Sequence, residues 1–207
     1  MKNDFDLVAP FYDRMARLVF GHQLERAQQC FLSQLPEGAR LLIAGGGRGR
    51  VLRWLPTDKA LKITYVDLSK QMIKAAKQQI YDNLDVEFIA KDVRDIDGQY
   101  DVVVANFFFD CFERDGLNEV LAKLKELMPL HGQLIVTDFG IPMNFKQRLL
   151  LKAMHLFFGL AANLEAKALQ DIRCVIGESG FDLKCEEHFS NQLIFSALFQ
   201  KSNEQSL

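Results

Sequence analysis

Four glycines crowd the stretch Ala44-Gly45-Gly46-Gly47-Arg48-Gly49-Arg50, directly after the apolar run Leu41-Leu42-Ile43. Glycine lacks Cβ and takes positive φ freely, so such a turn lets a ligand lie against bare backbone with N–H groups facing it. A carboxylate follows about twenty residues later: Asp67, at the end of Ile63-Thr64-Tyr65-Val66. An acid there can accept both hydroxyls of a bound ribose. The two features together point to a nucleoside-bearing ligand. Each also has a plainer explanation, since the glycines can serve only a tight turn and Asp67 or Ser69 can cap the next helix.

The elements that must position these residues can be read from periodicity. Runs at 40–44, 62–67, 85–90, 100–105 and 132–138 are rich in Val, Ile, Leu, Phe and Tyr and bounded by Gly, Asp or Asn, which predicts strands. Between them, 69–80 places Met72, Ile73, Ala76 and Ile80 on one face, and 116–128 does the same with Leu117, Val120, Leu121, Leu124 and Leu127. Strands alternating with amphipathic helices predict an α/β, doubly wound, mostly parallel sheet. After a helix near 165–179, the runs 181–186 and 192–200 follow each other too closely for a parallel crossover, so an antiparallel pair is expected. The total is seven strands. The glycine turn then lies at the carboxyl end of the first strand, where open α/β sheets bind ligands.

Composition narrows the function. A chain of 207 residues with 49% hydrophobic content can bury a full core, and one domain over 1–207 is the expectation. Lys plus Arg number 25 against 27 Asp plus Glu, a net charge of -2 without a basic tract, so nucleic acid is not the expected partner. Cys30, Cys111, Cys174 and Cys185 form no CxxC pair, which argues against a zinc or dithiol centre; no metal is expected, and a reducing cytoplasm is the simplest compartment. No apolar run is long enough for a signal h-region at the N-terminus or for a membrane span.

A dinucleotide fingerprint G-x-G-x-x-G would need its third glycine where Arg50 stands. A short-chain dehydrogenase would need Tyr-x-x-x-Lys, which Tyr12, Tyr65, Tyr81 and Tyr100 all fail to supply. A nicotinamide oxidoreductase is disfavoured on both counts. The glycines at 45, 47 and 49 instead resemble the E/D-x-G-x-G-x-G turn of class I S-adenosylmethionine-dependent methyltransferases, which have a Rossmann-like fold. Tyr65-Val66-Asp67-Leu68-Ser69-Lys70-Gln71-Met72 resembles that family's second motif, Val86 to Val93 its third, and Tyr100 to Phe107 its fourth. The resemblance implies S-adenosylmethionine as cofactor, with Ala44, Gly45, Gly46 and Gly47 along its methionine part and Asp67 on the ribose. It places Leu68 and Met72 beside adenine, Asp92 at the adenine amino group, the Val93 N–H at a ring nitrogen, and Asn106 with Phe107 beneath the cofactor. The segment Phe5 to Asp13, within an N-terminal helical region of about 1–35, is similar to small-molecule methyltransferases of quinone synthesis and implies Tyr12 over the cofactor.

The chain departs from the family at Ile43, where an acid usually helps hold the cofactor's ammonium, and at Gly46 and Arg48, where Cys or Ser and Thr are usual. A charged hydrogen bond is worth about 1.5–3 kcal/mol, so the missing acid should weaken binding. The alternative to an enzyme is therefore a catalytically silent cofactor-binding or interaction protein. Methyl transfer needs chiefly a positioned acceptor in a dry pocket. Should a base be required, Asp110, Asp138 and His155 are the candidates, each with a structural alternative, and no catalytic residue is assigned. A substrate cover is expected over about 141–162, where Phe145, Leu149, Met154, Phe157 and Phe158 accompany Arg148, Lys152 and His155. With Phe107, Phe108, Phe109 and Phe112, this segment suits a small apolar or aromatic acceptor, and its basic face suits an anionic headgroup or peripheral membrane contact. Ordinary core packing is the competing reading.

Overall fold

The computed structural model describes residues 20–79, 81, 83–145, 147–149 and 170–202. Seven strands form one sheet: β1 Arg40–Ala44, β2 Lys62–Asp67, β3 Asp85–Ala90, β4 Val102–Asn106, β5 Gln133–Phe139, β6 Phe181–Phe189 and β7 Ile194–Lys201. Their order is β3-β2-β1-β4-β5-β7-β6. The β1–β2, β1–β4, β2–β3 and β4–β5 pairs are parallel, while β7 runs antiparallel to both β5 and β6. This is the expected mostly parallel sheet with an antiparallel C-terminal strand. The β6–β7 link turns through Ser190, Asn191 and Gln192, all at positive φ (49, 52 and 67°).

Side-chain alternation explains the two-sided core. Along β1 and β4, Leu42, Ala44, Val103 and Ala105 face one helical layer, whereas Leu41, Ile43, Val102 and Val104 face the other. The first layer contains α3 (Arg114–Leu127) and α4 (Ile172–Glu178), and Leu117, Val120, Leu121, Leu124 and Leu127 of α3 are all buried as its periodicity predicts. The second contains α2 (Lys70–Lys77), started by Ser69, whose hydroxyl accepts the Met72 N–H at 3.3 Å. A shorter helix, α1 (Gln23–Gln29), packs on β6 and β7; Thr137 donates to the Ala27 carbonyl at 3.3 Å.

Several boundaries differ from the sequence reading. Strand β4 begins at Val102 and β6 continues to Phe189, while α4 starts only at Ile172, where Asp171 accepts the N–H groups of Arg173 and Cys174. The glycine turn opens a 3-10 helix, Arg50–Trp54, and not an α-helix. Gly49 at φ 87° fixes its start, and Pro56 drives Leu55 into an extended conformation (ψ 141°), so too few residues remain for an α-helix to propagate. Within the N-terminal region of 1–35, the described part is interrupted at Gly21 (φ 56°) and changes to a 3-10 helix at Leu32–Gln34. Tyr12, His155, Lys152, Met154, Phe157 and Phe158 lie outside the described residues.

Candidate functional site

The strand order reverses at β1, which lies between β2 and β4. At such a switch point the loops leaving two neighbouring strand ends diverge and open a crevice. Three candidates meet at these strand ends: the glycine turn after β1, Asp67 closing β2, and Asn106 closing β4.

Asp67 is tied to the turn directly. Its Oδ2 accepts the Gly47 N–H at 2.8 Å and its Oδ1 accepts the Ser69 N–H at 2.8 Å. Each carboxylate oxygen keeps a further lone pair, the requirement for receiving two adjacent hydroxyls. Burial raises the Asp67 carboxyl above its ordinary range, opposed by the hydrogen bonds from Ser69 and Gly47. Leu68 beside it is exposed at 70%, and Met72 is half-buried.

Gly45 and Gly47 adopt φ 65 and 61°. A Cβ on Gly47 would meet nothing within 4 Å among the described residues. The other glycines are bare for an internal reason: a Cβ on Gly45 would overlap the Phe108 ring, one on Gly46 the Tyr65 ring, and one on Gly49 the Tyr81 hydroxyl. Close packing therefore accounts for Gly45, Gly46 and Gly49, and the positive φ for Gly47.

Asn106 closes β4 with its side-chain amide turned away from solvent. Its amide nitrogen and oxygen are both buried, and neither has a hydrogen-bond partner among the described residues. Phe107 next to it is held at φ 50°, an uncommon conformation for an aromatic residue. Its N–H donates to the Thr137 carbonyl at 2.6 Å, and its ring lies 5.0 Å from that of Phe139.

The third motif is placed but engaged. Asp92 caps a 3-10 turn over Val93–Asp95, and Arg94 binds both its oxygens: Oδ1 accepts the Arg94 N–H (2.9 Å) and Nε (3.0 Å), Oδ2 accepts Nη2 (2.7 Å). The Arg94 guanidinium holds the Asp92 carboxyl below the usual range and also reaches Glu119 at 2.7 Å. Val93 is buried in the core, as is Ala44. Sequence reasoning missed Arg94, and nothing in the spacing of residues 92 to 119 indicates this pairing.

For Asp138 the structural alternative fits the geometry, and for Phe109 the core-packing one does. Asp138 is fully buried: Oδ2 accepts the N–H groups of Phe109 (3.1 Å) and Asp110 (3.2 Å), and Oδ1 accepts that of Phe139 (2.8 Å). It anchors the turn after β4 and has no exposed surface from which to take a substrate proton. Phe109 is likewise fully buried in the core and forms no acceptor wall, whereas Phe107, Phe108 and Phe112 are half-buried. Ile43 is 2% exposed and packs in the same core cluster as Tyr65, its register partner on β2. In the described part of 141–162, Ile141, Met143, Phe145 and Leu149 are exposed. No helix among the described residues is long and apolar enough to cross a membrane.

The geometry agrees with comparisons to known proteins. Residues 41–132 match the methyltransferase domain family, a span that includes the glycine turn, Asp67, Asp92 and Asn106. The malonyl-[acyl-carrier protein] O-methyltransferase of Halalkalibacterium halodurans is 31% identical over 111 residues, 50% of this chain and 40% of that protein. The chain spans less than half the length of the curated relatives it matches. Among solved structures, magnesium protoporphyrin IX methyltransferase from Synechocystis PCC 6803, with bound S-adenosylhomocysteine, superposes with a TM-score of 0.65 at 20% identity, covering 88% of this chain and 84% of that one. The 1,6-didemethyltoxoflavin-N1-methyltransferase of Burkholderia thailandensis gives 0.64 at 17% identity, covering 97% and 87%. Over residues 41–132 the chain is thus similar to the methyltransferase domain family, and its fold is that of the solved methyltransferases.

Proposed function

We propose that this protein transfers a methyl group from S-adenosylmethionine to a small, apolar or aromatic acceptor in the cytoplasm. The observation that carries this reading is the Asp67 carboxylate, bonded to Gly47 at the switch point with a lone pair left on each oxygen. The Asn106 amide and the side of Gly47, both without a neighbour to bond or touch among the described residues, support it, since both fit a ligand seated across the ends of β1 and β4.

Bound there, S-adenosylmethionine supplies a methyl group already activated on a sulfonium, which leaves the protein the tasks of holding, orienting and drying the site. The backbone from Ala44 to Gly47 would line the methionine part and Asp67 would hold the ribose. Leu68 and Met72 would flank adenine, with the Val93 N–H and the Asp92 carboxylate at its edge. Asp92 can take the amino group only by sharing its oxygens with Arg94. Asn106 and Phe107 would form the floor, and Tyr12 the roof.

The acceptor is inferred from this chain's own residues. Ile141, Met143, Phe145 and Leu149, exposed on the segment after β5, suit an apolar acceptor such as a quinone precursor, and Arg148 among them suits an anionic group or a membrane surface. Should the acceptor need a base, Asp110 is the better placed carboxylate, because Asp138 is enclosed. A silent cofactor-binding protein is the second reading, favoured by Ile43, whose place in the core leaves no acid behind the turn.

Incubation with S-adenosylmethionine and a panel of phenolic and quinol acceptors tests the two readings. Acceptor-dependent S-adenosylhomocysteine formation is expected. Cofactor binding with no product across the panel would favour the silent protein, and neither binding nor product would overturn both.

A further inference from the structure

Three successive carbonyl groups of the glycine turn, those of Gly47, Arg48 and Gly49, each accept a side-chain hydrogen bond. The Tyr65 hydroxyl donates to the Gly47 carbonyl at 3.1 Å, the Gln79 side-chain amide to that of Arg48, and the Tyr81 hydroxyl to that of Gly49 at 3.0 Å. In addition, Gly46 donates its N–H to the Val66 carbonyl at 3.1 Å, and Gly47 donates to Asp67. These five partners belong to β2 or to the stretch that follows it through α2 to Tyr81. Strand β1 contributes nothing of this kind, because Ile43 is aliphatic and buried.

We propose that Tyr65 and Tyr81 are positioning residues for the cofactor, fixing the peptide planes of the glycine turn through its Gly47 and Gly49 carbonyls. The proposal rests on the methyltransferase reading above. Glycine loses more backbone freedom on ordering than any other residue, so a turn of four glycines pays a large entropic penalty if it orders only when a ligand arrives. Holding it in advance transfers that ordering to folding and leaves more of the contact energy for binding. Such a device matters most where the usual acid is missing, and Tyr65 is the register partner of that very position, Ile43. The fit is mutual: the Tyr65 ring occupies the space a side chain at residue 46 would need, and the Tyr81 hydroxyl that of one at residue 49. Burial, with the Asp67 charge beside it, pushes the Tyr65 phenol far up, so it remains a neutral donor throughout the physiological range.

The full chain is compared with Tyr65→Phe, Tyr81→Phe and the double variant, all of which keep the rings. Three quantities are read: amide hydrogen exchange of residues 46–50 without ligand, the dissociation constant and association rate for S-adenosylhomocysteine, and the melting temperature. Each hydroxyl removed should speed exchange in the turn while leaving the amides of β1 and β4 protected, and should weaken binding about five- to tenfold. The double variant should be weaker than either single one, chiefly through slower productive association. A wild type that binds, with variants that match it in both turn exchange and affinity, would overturn the proposal alone and reduce the tyrosines to core packing. A wild type that does not bind S-adenosylhomocysteine would overturn the cofactor reading and this proposal with it.

Discussion

Asp67 and Gly47 are joined by a hydrogen bond of 2.8 Å between a carboxylate closing one strand and a backbone N–H leaving its neighbour. The acid read as a ribose ligand is therefore also a fastener of the glycine turn. Asp67→Ala should weaken S-adenosylmethionine binding by about 2–4 kcal/mol through the loss of two charge-assisted bonds. Melting should change far less, because relief from burying a carboxylate offsets the acceptor lost to Gly47 and Ser69. Calorimetry on the folded variant checks this, and unchanged affinity would remove Asp67 from the site.

Asn106 should show the opposite balance between stability and function. Its buried amide lacks partners among the described residues, and an unsatisfied group of this kind costs about 1–3 kcal/mol. Asn106→Leu, close in volume, should leave the unliganded protein as stable or more stable while weakening cofactor binding. A variant that melts earlier and binds normally would show Asn106 to be structural.

Ile43→Asp restores the acid that the family usually carries, yet the side chain here lies in the core between β2 and β4. An unpaired carboxylate buried at that point should destabilise the fold by about 3–5 kcal/mol. No gain in cofactor affinity is expected. Tighter binding at unchanged melting would mean that the position still communicates with the ligand.

Much of this architecture was legible because the signals are local. The apolar runs gave each strand, the spacing in α3 gave its whole buried face, and the short link before β7 gave the antiparallel pair. Asp67 and the glycine turn were legible for the same reason, each being a fixed offset from a strand end. The fastenings were not. Tyr65 stands two residues before Asp67 and so on the same side of β2, a hint of a shared role, but its bond to Gly47 depends on how β1 and β2 pair. Tyr81 to Gly49 and Arg94 to Glu119 join segments that only the tertiary fold brings together. Asp138 read as a candidate base because strand-end acids often are; its burial comes from the turn after β4 folding back over it.

Asp138 also predicts a pH dependence. Burial and the neighbouring Asp110 hold its carboxyl well above the ordinary range, against the pull of three backbone N–H groups. In the unfolded chain it titrates near about 3.9. Between that value and its raised folded value the native state binds more protons than the unfolded one, so this group's contribution to stability is full at low pH and declines as pH rises. Asp138→Asn should flatten the fall in melting temperature on going upward from about pH 4. An identical pH profile in the variant would contradict the assignment.

The most direct measurement is calorimetric titration of the wild-type chain with S-adenosylmethionine and, side by side, with NAD. A methyltransferase site built on Asp67, the glycine turn and Asn106 should bind S-adenosylmethionine saturably at one site per chain and give no heat of binding with NAD. NAD binding without S-adenosylmethionine binding, or no binding of either, would contradict the account.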